Sequence, residues 1–566
     1  MSKKRWRVAE PTPEAVDAEL GQWPQPLRQL LFNRGILSAE EAEHFFYPER
    51  SEMHDPFLLK GMDAAVNRVF RALREEQLIA VYGDFDVDGL TAAALLIEVL
   101  QAPGLQGRVV PYLPHRAREG YGLNLEAVRQ LAQKGVGLLI TVDCGVGADK
   151  EIKLAETLGI DVIVTDHHQI SNGLPPALAV INPRQEGCSY PFKELAGVGV
   201  AYKLAEALLS HLWGIQQART KLKSSLDLVA LGTVGDLALL LGENRLLVKL
   251  GLAEINRGER LGLRTLASAA GIRDRTIGTD SISYVLAPRL NAAGRMGDAR
   301  LGLDLLLCRS EEESTRLASL LETANRDRQV ATATALNTAR EALSREAELP
   351  PAIVLVGDYP SGIVGLVANR LVEELHRPAF VIEAGEGECR GSGRGVPGFN
   401  VIQTLAEASD LLVRFGGHSQ AAGFAVEVSH LDALRSHLEC AAGRLDKAAA
   451  PPDILIEGKL KARDFRPGLF DLLALLEPYG VGNQRPIFCS QGLQVRDVRV
   501  VGSGHLRMTL LDETGTVGAI GFGMASEEYS FARPGARIDC AYTVARNERG
   551  GTFAYEMVLK DMRLSD

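Results

Sequence analysis

Short apolar runs alternate with helical stretches between residues 78 and 183, and this alternation limits the possible folds more than any other feature of the chain. The stretches between the runs, such as "LTAAALLIEVL" and "NLEAVRQLAQKG", are typical of helices. Strands that alternate with helices indicate a parallel, doubly wound α/β sheet. The predicted strands are residues 78–83, 109–114, 137–142, 161–165 and 178–183.

Charged and imidazole side chains follow four of these strands directly. Ligands of open parallel sheets bind at the carboxyl ends of the strands, so these side chains are expected on one rim. Carboxylates and imidazoles suit Mn²⁺ or Mg²⁺. Several shared carboxylates favour two ions about 3.5–4 Å apart, an arrangement that supports in-line phosphoryl displacement. The candidates on this rim are Asp84, Asp86, Asp88, Asp143, Asp166, His167 and His168.

The stretch "VYGDFDVDGLTAAAL" spaces three aspartates two residues apart. If the chain stays extended there, alternate side chains point the same way and the three carboxylates converge. Gly89 then permits a sharp turn into a helix. Taken singly, an Asp after a strand is usually a helix cap, and a His-His pair is usually a surface or core feature. Their coincidence on one rim favours a metal-dependent phosphoesterase.

The rest of the chain divides by composition. Residues 310–348 contain no Gly or Pro and begin with a capping box, Ser310 and Glu313, which predicts one long helix. Several short strand-like runs without intervening helices predict a β-barrel near the C-terminus. The predicted divisions are an N-terminal helical segment (1–58), a catalytic domain (59–253), a connecting helical region (254–348), a second α/β domain (349–446) and a barrel (454–566).

The formal net charge of −10 argues against a simple basic nucleic-acid coat but not against a nucleic-acid enzyme, because bound divalent metal makes an acidic site locally positive. The seven scattered cysteines form no CxxC pair and indicate reduced thiols in a cytoplasmic protein. The N-terminus lacks the apolar region of a signal peptide. No apolar run approaches the length of about 20 residues that a membrane span needs, so no membrane contact is expected.

Successive motifs of the chain resemble those of the DHH phosphoesterase superfamily. "GDFDVDG", "VDCG" and "VTDHH" are similar to its first three motifs, and residues 228–252 resemble its fourth. "PRLNAAGRM" (288–296) resembles an arginine motif of a bacterial exonuclease branch. Residues 361–371 and 391–424 resemble the associated DHHA1 domain, and the C-terminal stretch resembles an OB-fold of the same branch.

The resemblance implies a fold and an activity. The fold is a parallel-sheet DHH domain and a second α/β DHHA1 domain joined by a long helix, plus a C-terminal OB-fold barrel. The activity is metal-dependent hydrolysis of single-stranded DNA from the 5′ end, with release of 5′-mononucleotides in DNA repair and recombination. The resemblance also implies a monomer that meets a single-stranded-DNA-binding protein and a RecQ-type helicase.

The resemblance assigns roles residue by residue. His168 would face the scissile phosphate, and Asp166 would orient a ligating imidazole. Asp86 and Asp88 match the superfamily best, whereas Asp84 is the candidate least expected to contact metal directly. The implied metal ligands are Asp84, Asp86, Asp88, Asp143, His167 and Asp236, and the implied catalytic residues are His168, Asp166 and Asp143.

Substrate contacts are implied in the same way. Arg118, Ser392 and Arg394 would anchor the 5′ end of the strand, and Arg289 would hold a phosphate near the cut. Tyr121 could stack on a base. The implied substrate-binding residues are Arg118, Tyr121, Arg289, Asn291, Arg295, Ser392, Arg394 and His418, and the aromatic candidates of the barrel are Phe488, Phe522, Tyr542, Phe553 and Tyr555.

The chain departs from the superfamily pattern at three places: Phe85 stands for the usual Tyr, Gly235 for the usual Ala, and "ALLLGENR" after Asp236 for a more common Val-Pro-Leu run. None of these changes removes a metal ligand, so an active enzyme is expected. Two alternatives stay open: a DHH-family phosphodiesterase acting on short oligonucleotides or cyclic dinucleotides, and a non-catalytic replication scaffold.

Overall fold

The computed structural model describes residues 4–48, 53–116, 119–170, 173–346, 348–445, 453–502, 504–549 and 552–565. The chain forms two compact units. One comprises His54–Ala449, and the other combines Met1–Met53 with Ala450–Asp566.

The N-terminal segment contains one short strand and three short helices. Its third helix begins with a capping box, in which the Ser38 hydroxyl accepts from the Glu41 N–H (3.2 Å) and the Glu41 carboxylate accepts from the Ser38 N–H (3.3 Å). The sequence predicts helices here but not the strand. The elements are β1 (Trp6–Val8), α1 (Glu14–Glu19), α2 (Gln25–Phe32) and α3 (Ala39–Phe46).

The first sheet has five strands, all parallel, as predicted. The strand of this sheet that comes first in the chain has the next strand of the chain on one side and the remaining three on the other. The direction in which strands are added to the sheet therefore reverses at that strand. Such a reversal is where open α/β sheets bind ligands. In sheet order the strands are β3 (Arg108–Tyr112), β2 (Leu78–Gly83), β4 (Val136–Val142), β5 (Asp161–Thr165) and β6 (Ala179–Ile181).

Eight helices accompany this sheet. The second of them is buried along most of its length because it packs mainly against two strands of the sheet and three later helices. The helices are α4 (Met62–Arg74), α5 (Val87–Gln101), α6 (Leu125–Gln133), α7 (Asp149–Thr157), α8 (Gly197–Trp213), α9 (Ile215–Lys221), α10 (Leu226–Gly235) and α11 (Gly242–Arg257).

A helical region connects this part to the second sheet. The predicted long helix begins at the predicted cap, where the Ser310 hydroxyl accepts from the Glu313 N–H, but the Glu313 carboxylate bonds to Arg316 (2.6 Å) and does not complete the capping box. The helix spans 33 residues, about 50 Å at ~1.5 Å per residue. Nowhere in the described ranges is a helix long and apolar enough to cross a membrane. The elements are α12 (Leu261–Ala269), α13 (Thr279–Ser281), a π-helical turn (Ile282–Leu286), α14 (Ala287–Met296), α15 (Arg300–Leu307) and α16 (Glu311–Leu343).

The second sheet is mixed. One pair of strands is parallel, and the remaining pairs are antiparallel. In sheet order its strands are β10 (Leu412–Gly417), β11 (Ala421–Glu427), β9 (Glu388–Arg394), β8 (Ala379–Glu383) and β7 (Ile353–Gly357). Its helices are α17 (Val364–Leu375), α18 (Val401–Glu407) and α19 (Leu431–Gly443).

The pattern "RGSGR" in β9 sorts its side chains between two faces. Gly391 and Gly393 lie against the rings of Phe424 and Phe380, where an added Cβ would come under 3.0 Å from the rings. Because strand residues alternate between faces, Arg390, Ser392 and Arg394 share the opposite face.

The C-terminal part forms the predicted barrel. Five strands close in the order β14–β15–β16–β18–β17 and back to β14, which confirms the OB-fold. The elements are β12 (Ile454–Ile456), β13 (Gly458–Lys459), α20 (Pro467–Leu475), β14 (Phe488–Val501), β15 (His505–Asp512), β16 (Gly515–Gly521), β17 (Arg537–Arg549) and β18 (Thr552–Leu564).

The N-terminal segment and the barrel share one core. Strand β1 pairs in parallel with β12. Leu27, Leu31 and Phe46 of α2 and α3 belong to the same buried cluster as Leu473 and Phe488. The Arg34 side chain adds hydrogen bonds to Asn483 (2.8 Å) and Glu457 (3.1 Å).

The aromatic candidates of the barrel divide between core and surface. Phe488 and Tyr542 are buried and therefore belong to the core, whereas the Phe522 ring is 59% exposed. Tyr555 is half-buried and stacks on the Phe470 ring (4.2 Å between centroids). The Phe553 side chain lies outside the described residues.

Candidate metal centre and phosphate site

The loop after β2 brings three carboxylates to the rim by a different route from the one predicted. The chain is extended only to Asp86, which caps α5 by accepting hydrogen bonds from the N–H groups of Asp88 (3.0 Å) and Gly89 (3.2 Å). The convergence therefore comes from a helix N-terminus rather than from strand alternation. A Cβ at Gly89 would lie 2.6 Å from the Asp84 nitrogen, so only glycine allows this tight entry.

Asp88 is completely buried and bound to the N-terminus of a second helix, α8. Its two oxygens accept from the N–H groups of Gly197 (2.7 Å) and Val198 (2.8 Å). A helix N-terminus favours negative charge and opposes the penalty of burial. Burial and the neighbouring Asp86 nevertheless raise the pKa of Asp88 to about 7.

Asp143 follows β4 in a left-handed conformation with φ of 60°. Asp is one of the few residues that adopt this region without a large penalty. Its carboxylate packs so closely on Gly197 that an added Cβ there would lie 2.5 Å from Oδ1. The sequence does not predict this role of Gly197, which adjoins two carboxylates at once.

His167 points into the group of carboxylates. Its Nε2 lies 3.1 Å from Asp143 Oδ1 and 3.9 Å from both Asp88 Oδ2 and Asp236 Oδ2. Burial and the nearby charge of His168 lower the pKa of His167 to about 3. The imidazole is therefore neutral at physiological pH, which is the form that binds metal.

Asp166 holds the adjacent histidine in place. It accepts from the backbone N–H groups of Val146 (2.9 Å), His167 (2.7 Å) and His168 (3.0 Å), and its Oδ1 lies 2.7 Å from His168 Nδ1. Burial is the largest single effect and lowers the pKa of His168, but the hydrogen bond to Asp166 and the charges of Asp166, Asp236 and Asp88 together outweigh it and raise this pKa to about 9. The imidazole that Asp166 orients is thus that of His168, not that of His167.

Two further side chains contact His168. The Tyr121 hydroxyl lies 3.2 Å from His168 Nε2, while the Tyr121 ring is 58% exposed. The His418 ring lies parallel to that of His168, with 5.9 Å between centroids and 6° between planes. The predicted substrate residues Tyr121 and His418 therefore flank the predicted catalytic imidazole.

Asp236 reaches the rim from the C-terminal end of α10. Because it follows a helix and no strand, the strand-end pattern could not predict it, and only the family resemblance suggested it. Burial and the charge of Asp88 raise the pKa of Asp236 to about 8.

Seven side chains of the described residues form three overlapping groups with the spacing of metal ligands, two of which have no member in common. The first is Asp88, His167 and Asp236, and the second is Asp84, Asp86 and Asp143; within each group the candidate ligand atoms lie within 4.8 Å of one another. Asp143 also forms a group with His167 and His168.

His167 Nε2 and Asp143 Oδ1 lie 3.1 Å apart without the geometry of a hydrogen bond. These two atoms and Asp84 Oδ1 are buried, and none of the three has a hydrogen-bond partner among the described residues. Buried acceptors without donors are costly, and a cation satisfies them. Burial and the surrounding carboxylates also raise the pKa of Asp143 well above its usual range. The residues present therefore fit a pair of divalent cations, and Asp84 contributes to the second group.

Arginines from the loop after β3, from helix α14 and from strand β9 lie beside this rim. Arg116 lies over the Phe85 ring (4.9 Å), and Arg118 is outside the described residues. Arg295 donates to the Gly362 carbonyl (3.2 Å). Its burial, together with the charges of Arg116 and Arg328, lowers the pKa of Arg295 to about 9.

Ser392 and Arg394 complete the basic side of the site. Arg394 Nη1 donates to the Ser392 hydroxyl (2.7 Å) and to the Gly393 carbonyl (2.8 Å). Burial and the charge of Arg116 lower the pKa of Arg394. In the part of the chain that the structure describes, Arg116, Arg295 and Arg394 have no carboxylate partner, as expected of groups that bind an anion.

Two predicted substrate residues are engaged within the protein instead. Arg289 forms an ion pair with Glu322 (2.6 Å) and donates to the Val285 carbonyl (2.8 Å). Asn291 accepts from the Val87 N–H (2.7 Å) and so supports the start of α5. Their contacts with substrate stay predictions.

Family models match three parts of the chain: the DHH family N-terminal domain over residues 78–233, the DHHA1 domain over 350–443 and the RecJ OB domain over 456–561. Fold and site together define a phosphoesterase of the DHH class with a DHHA1 domain.

Individual relatives narrow this class. The single-stranded-DNA-specific exonuclease RecJ of Salmonella typhimurium is 35% identical over 99% of this chain and 98% of its own length. The protein of the same name from Bacillus subtilis is 35% identical over 100% of this chain and 71% of its own length. The crystal structure of RecJ in complex with Mn²⁺ from Thermus thermophilus superposes with a TM-score of 0.84, at 32% identity over 100% of this chain and 80% of that one. The chain belongs to the RecJ family.

Proposed function

We propose that this protein is a metal-dependent exonuclease that hydrolyses single-stranded DNA from the 5′ end and releases 5′-mononucleotides. The observation that carries the proposal is that the acidic, metal-ligating rim lies next to a group of arginines. Two groups of metal-ligating side chains with buried, unpartnered acceptors lie beside arginines that have no carboxylate partner in the described chain. Its RecJ relatives are named single-stranded-DNA-specific exonucleases.

The cations are Mn²⁺ or Mg²⁺, the ions in two solved structures of the Thermus relative. Asp88, His167 and Asp236 would hold one ion, and Asp84, Asp86 and Asp143 the other. When bound, such a pair activates water at neutral pH and stabilises charge on a phosphoryl group.

The protein's own groups position the scissile phosphate. With its pKa near 9, His168 is an imidazolium at neutral pH, and Asp166 holds its Nδ1 so that Nε2 is directed toward the substrate side. A hydrogen bond from a charged imidazole to a phosphate oxygen is strong in a site that excludes water. Tyr121 supports the same imidazole through its hydroxyl and offers an exposed ring for a base.

The basic side binds the 5′ end. The guanidinium of Arg394 and the hydroxyl of Ser392 are joined by a hydrogen bond and lie on one face of β9. Such a pair suits a terminal phosphate, which has more free oxygens than an internal diester. Arg118 belongs to the same proposal, and a fixed 5′ anchor beside the metals accounts for cleavage of one nucleotide at a time.

The proposal also covers the compartment, the partner proteins and the oligomeric state of the protein. Its seven cysteines are all free, which fits a reducing cytoplasm. A single-stranded-DNA-binding protein and a RecQ-type helicase are proposed partners, because duplex must be opened before a single strand can enter. The proposed active form is a monomer.

The decisive experiment uses single strands labelled at the 5′ or the 3′ end, with Mn²⁺ or Mg²⁺, and compares the wild type with Asp143→Asn. Asn tolerates the left-handed backbone at this position but lacks the charge. We expect mononucleotides released from the 5′ label first, and no release by the variant.

Glu156→Gln on the exposed side of α7 is the matched control and should retain full activity. Equal rates on blunt duplex and single strand, or release from the 3′ label first, would contradict the proposal. Intact single strands after incubation with Mn²⁺ would instead support the scaffold alternative.

A further inference from the structure

One of the close contacts between helices α10 and α5 at the metal centre is made by two residues that are not themselves metal-ligand candidates. Gly235 is the last residue of α10 and directly precedes Asp236, while Val87 lies between Asp86 and Asp88 at the start of α5. A Cβ added to Gly235 would lie under 3.0 Å from Val87 Cγ1 and 3.4 Å from the Ala287 Cβ. Real Cβ atoms do not approach so closely, so one of the two elements would have to move.

Val87 cannot give way easily. Its side chain is 1% exposed, and β-branched residues in helices have essentially one favourable χ1 rotamer. Its backbone N–H donates to Asn291 Oδ1 at 2.7 Å, which ties the start of α5 to α14. Any added atom at position 235 would therefore displace the end of α10 rather than Val87.

We infer that Val87 and Gly235 form a positioning pair that sets how closely Asp236 approaches Asp88 and His167, and so sets the affinity of one of the two metal subsites; this inference rests on the proposed function. The three ligands belong to one group whose candidate atoms lie within 4.8 Å of one another. The first two ligands lie on α5 and after β5, and only Asp236 comes from α10. Gly232 also packs α10 on α5, but the contact between Gly235 and Val87 involves the residue that directly precedes Asp236.

The test is a double-mutant cycle with Gly235→Ala and Val87→Ala in the full chain, read by calorimetric titration of the metal-free protein with Mn²⁺. We expect Gly235→Ala to weaken one of two Mn²⁺ binding events by about 10- to 100-fold, the range for residues that support metal ligands. Single-strand binding in EDTA should stay within about twofold of wild type. Adding Val87→Ala should return the affinity to within about threefold of Val87→Ala alone, because the smaller side chain makes room for the new methyl group.

Gly278→Ala is the matched control, since nothing lies within 4 Å of a Cβ added there, and it should bind Mn²⁺ as the wild type does. Wild-type affinity in Gly235→Ala, or a double variant as weak as Gly235→Ala, would overturn the inference. If Gly235→Ala does not fold by circular dichroism, a folded double variant that matches Val87→Ala supports the pair, and an unfolded one overturns it.

Failure of the proposed function gives a different result. A wild-type protein that binds no Mn²⁺ and degrades no single strand would overturn the proposed function and the pair together. A wild type that does both, with an unaffected Gly235→Ala, would overturn the pair alone.

Discussion

The metal rim and the arginine side of the site are built in opposite ways. On the rim, backbone N–H groups, helix N-termini and a left-handed residue hold short carboxylates in place. On the basic side, long guanidinium side chains bond to neutral oxygens such as the Ser392 hydroxyl and the Gly362 carbonyl. The rim carboxylates are thus fixed by hydrogen bonds from the backbone. Among the described residues, Arg295 and Arg394 bond only to neutral oxygens, so their positive charges stay available for an anion.

The two regions share uncompensated charge of opposite sign. Burial and mutual repulsion raise the pKa values of Asp88, Asp143 and Asp236, and the same two causes lower the pKa values of Arg295 and Arg394. Neither region is electrostatically satisfied by the protein alone. A DNA phosphate bound together with divalent cations, as proposed above, would neutralise both regions.

The largest effect is expected when a metal-ligand candidate that is held by backbone N–H groups is changed. Asp88→Asn should lower kcat on the order of 10³-fold at saturating Mn²⁺, because it removes a charge and turns an amide N–H₂ toward the N–H donors of Gly197 or Val198. Steady-state assays on a labelled single strand would measure it, with exposed Asp63→Asn as control. A loss confined to KM would show that the rim serves binding rather than chemistry.

A change on the basic side should act on binding instead. Arg394→Lys keeps the charge but loses the planar fork, so we expect KM for 5′-phosphorylated strands to rise roughly 10- to 100-fold with kcat nearly unchanged. The effect should be smaller on strands with a 5′-hydroxyl. Arg370→Lys, in an exposed ion pair on α17, should leave both parameters unchanged. If Arg394→Lys lowers kcat as much as Asp88→Asn, the division between the two regions fails.

The smallest expected effect is on the stability of the metal-free protein. It tests the metal rim alone, because the titrating groups it depends on all belong to the rim. The folded metal-free protein holds protons that the unfolded chain has released, since the pKa is about 7 for Asp88, about 8 for Asp236 and about 9 for His168. Its free energy of unfolding should therefore fall as the pH rises from 6.5 to 8.5.

Mn²⁺ should restore the lost stability, so that the increase in melting temperature with Mn²⁺ is larger at pH 8.5 than at pH 6.5, by a few degrees. Differential scanning calorimetry with and without EDTA would measure it, and Asp236→Asn should reduce the dependence on pH. A metal-free protein more stable at pH 8.5 would show that the carboxylates are not crowded as described.

The sequence predicted the parts of the site that follow strands. Asp84, Asp143 and His167 come directly after buried strands of a parallel sheet, and topology alone brings such positions together. Asp236 ends a helix, so no periodicity marked it. The close packing of Gly197 and Gly235 on residues far away in the chain left no local pattern, because tertiary proximity gave these glycines their roles.

Other differences arise from competition between local and tertiary interactions. The extended run predicted over residues 84–88 gives way to a helix at Val87, because the Asp86 carboxylate caps the first turn of α5. Asn291 occurs in an arginine motif, but its amide oxygen is occupied by the backbone of α5. The short strand β1 has no signal of its own and forms only by pairing with β12.

The shared core of the N-terminal segment and the barrel has a consequence for protein synthesis. Leu27, Leu31 and Phe46 emerge from the ribosome before His54–Ala449, and their partners Leu473 and Phe488 come after it. At about 5–20 residues per second, the early helices wait roughly 20–80 s with their apolar faces uncovered. This interval is when a chaperone would engage the nascent chain, and a truncated protein that keeps only one of the two segments would expose the same apolar surface permanently.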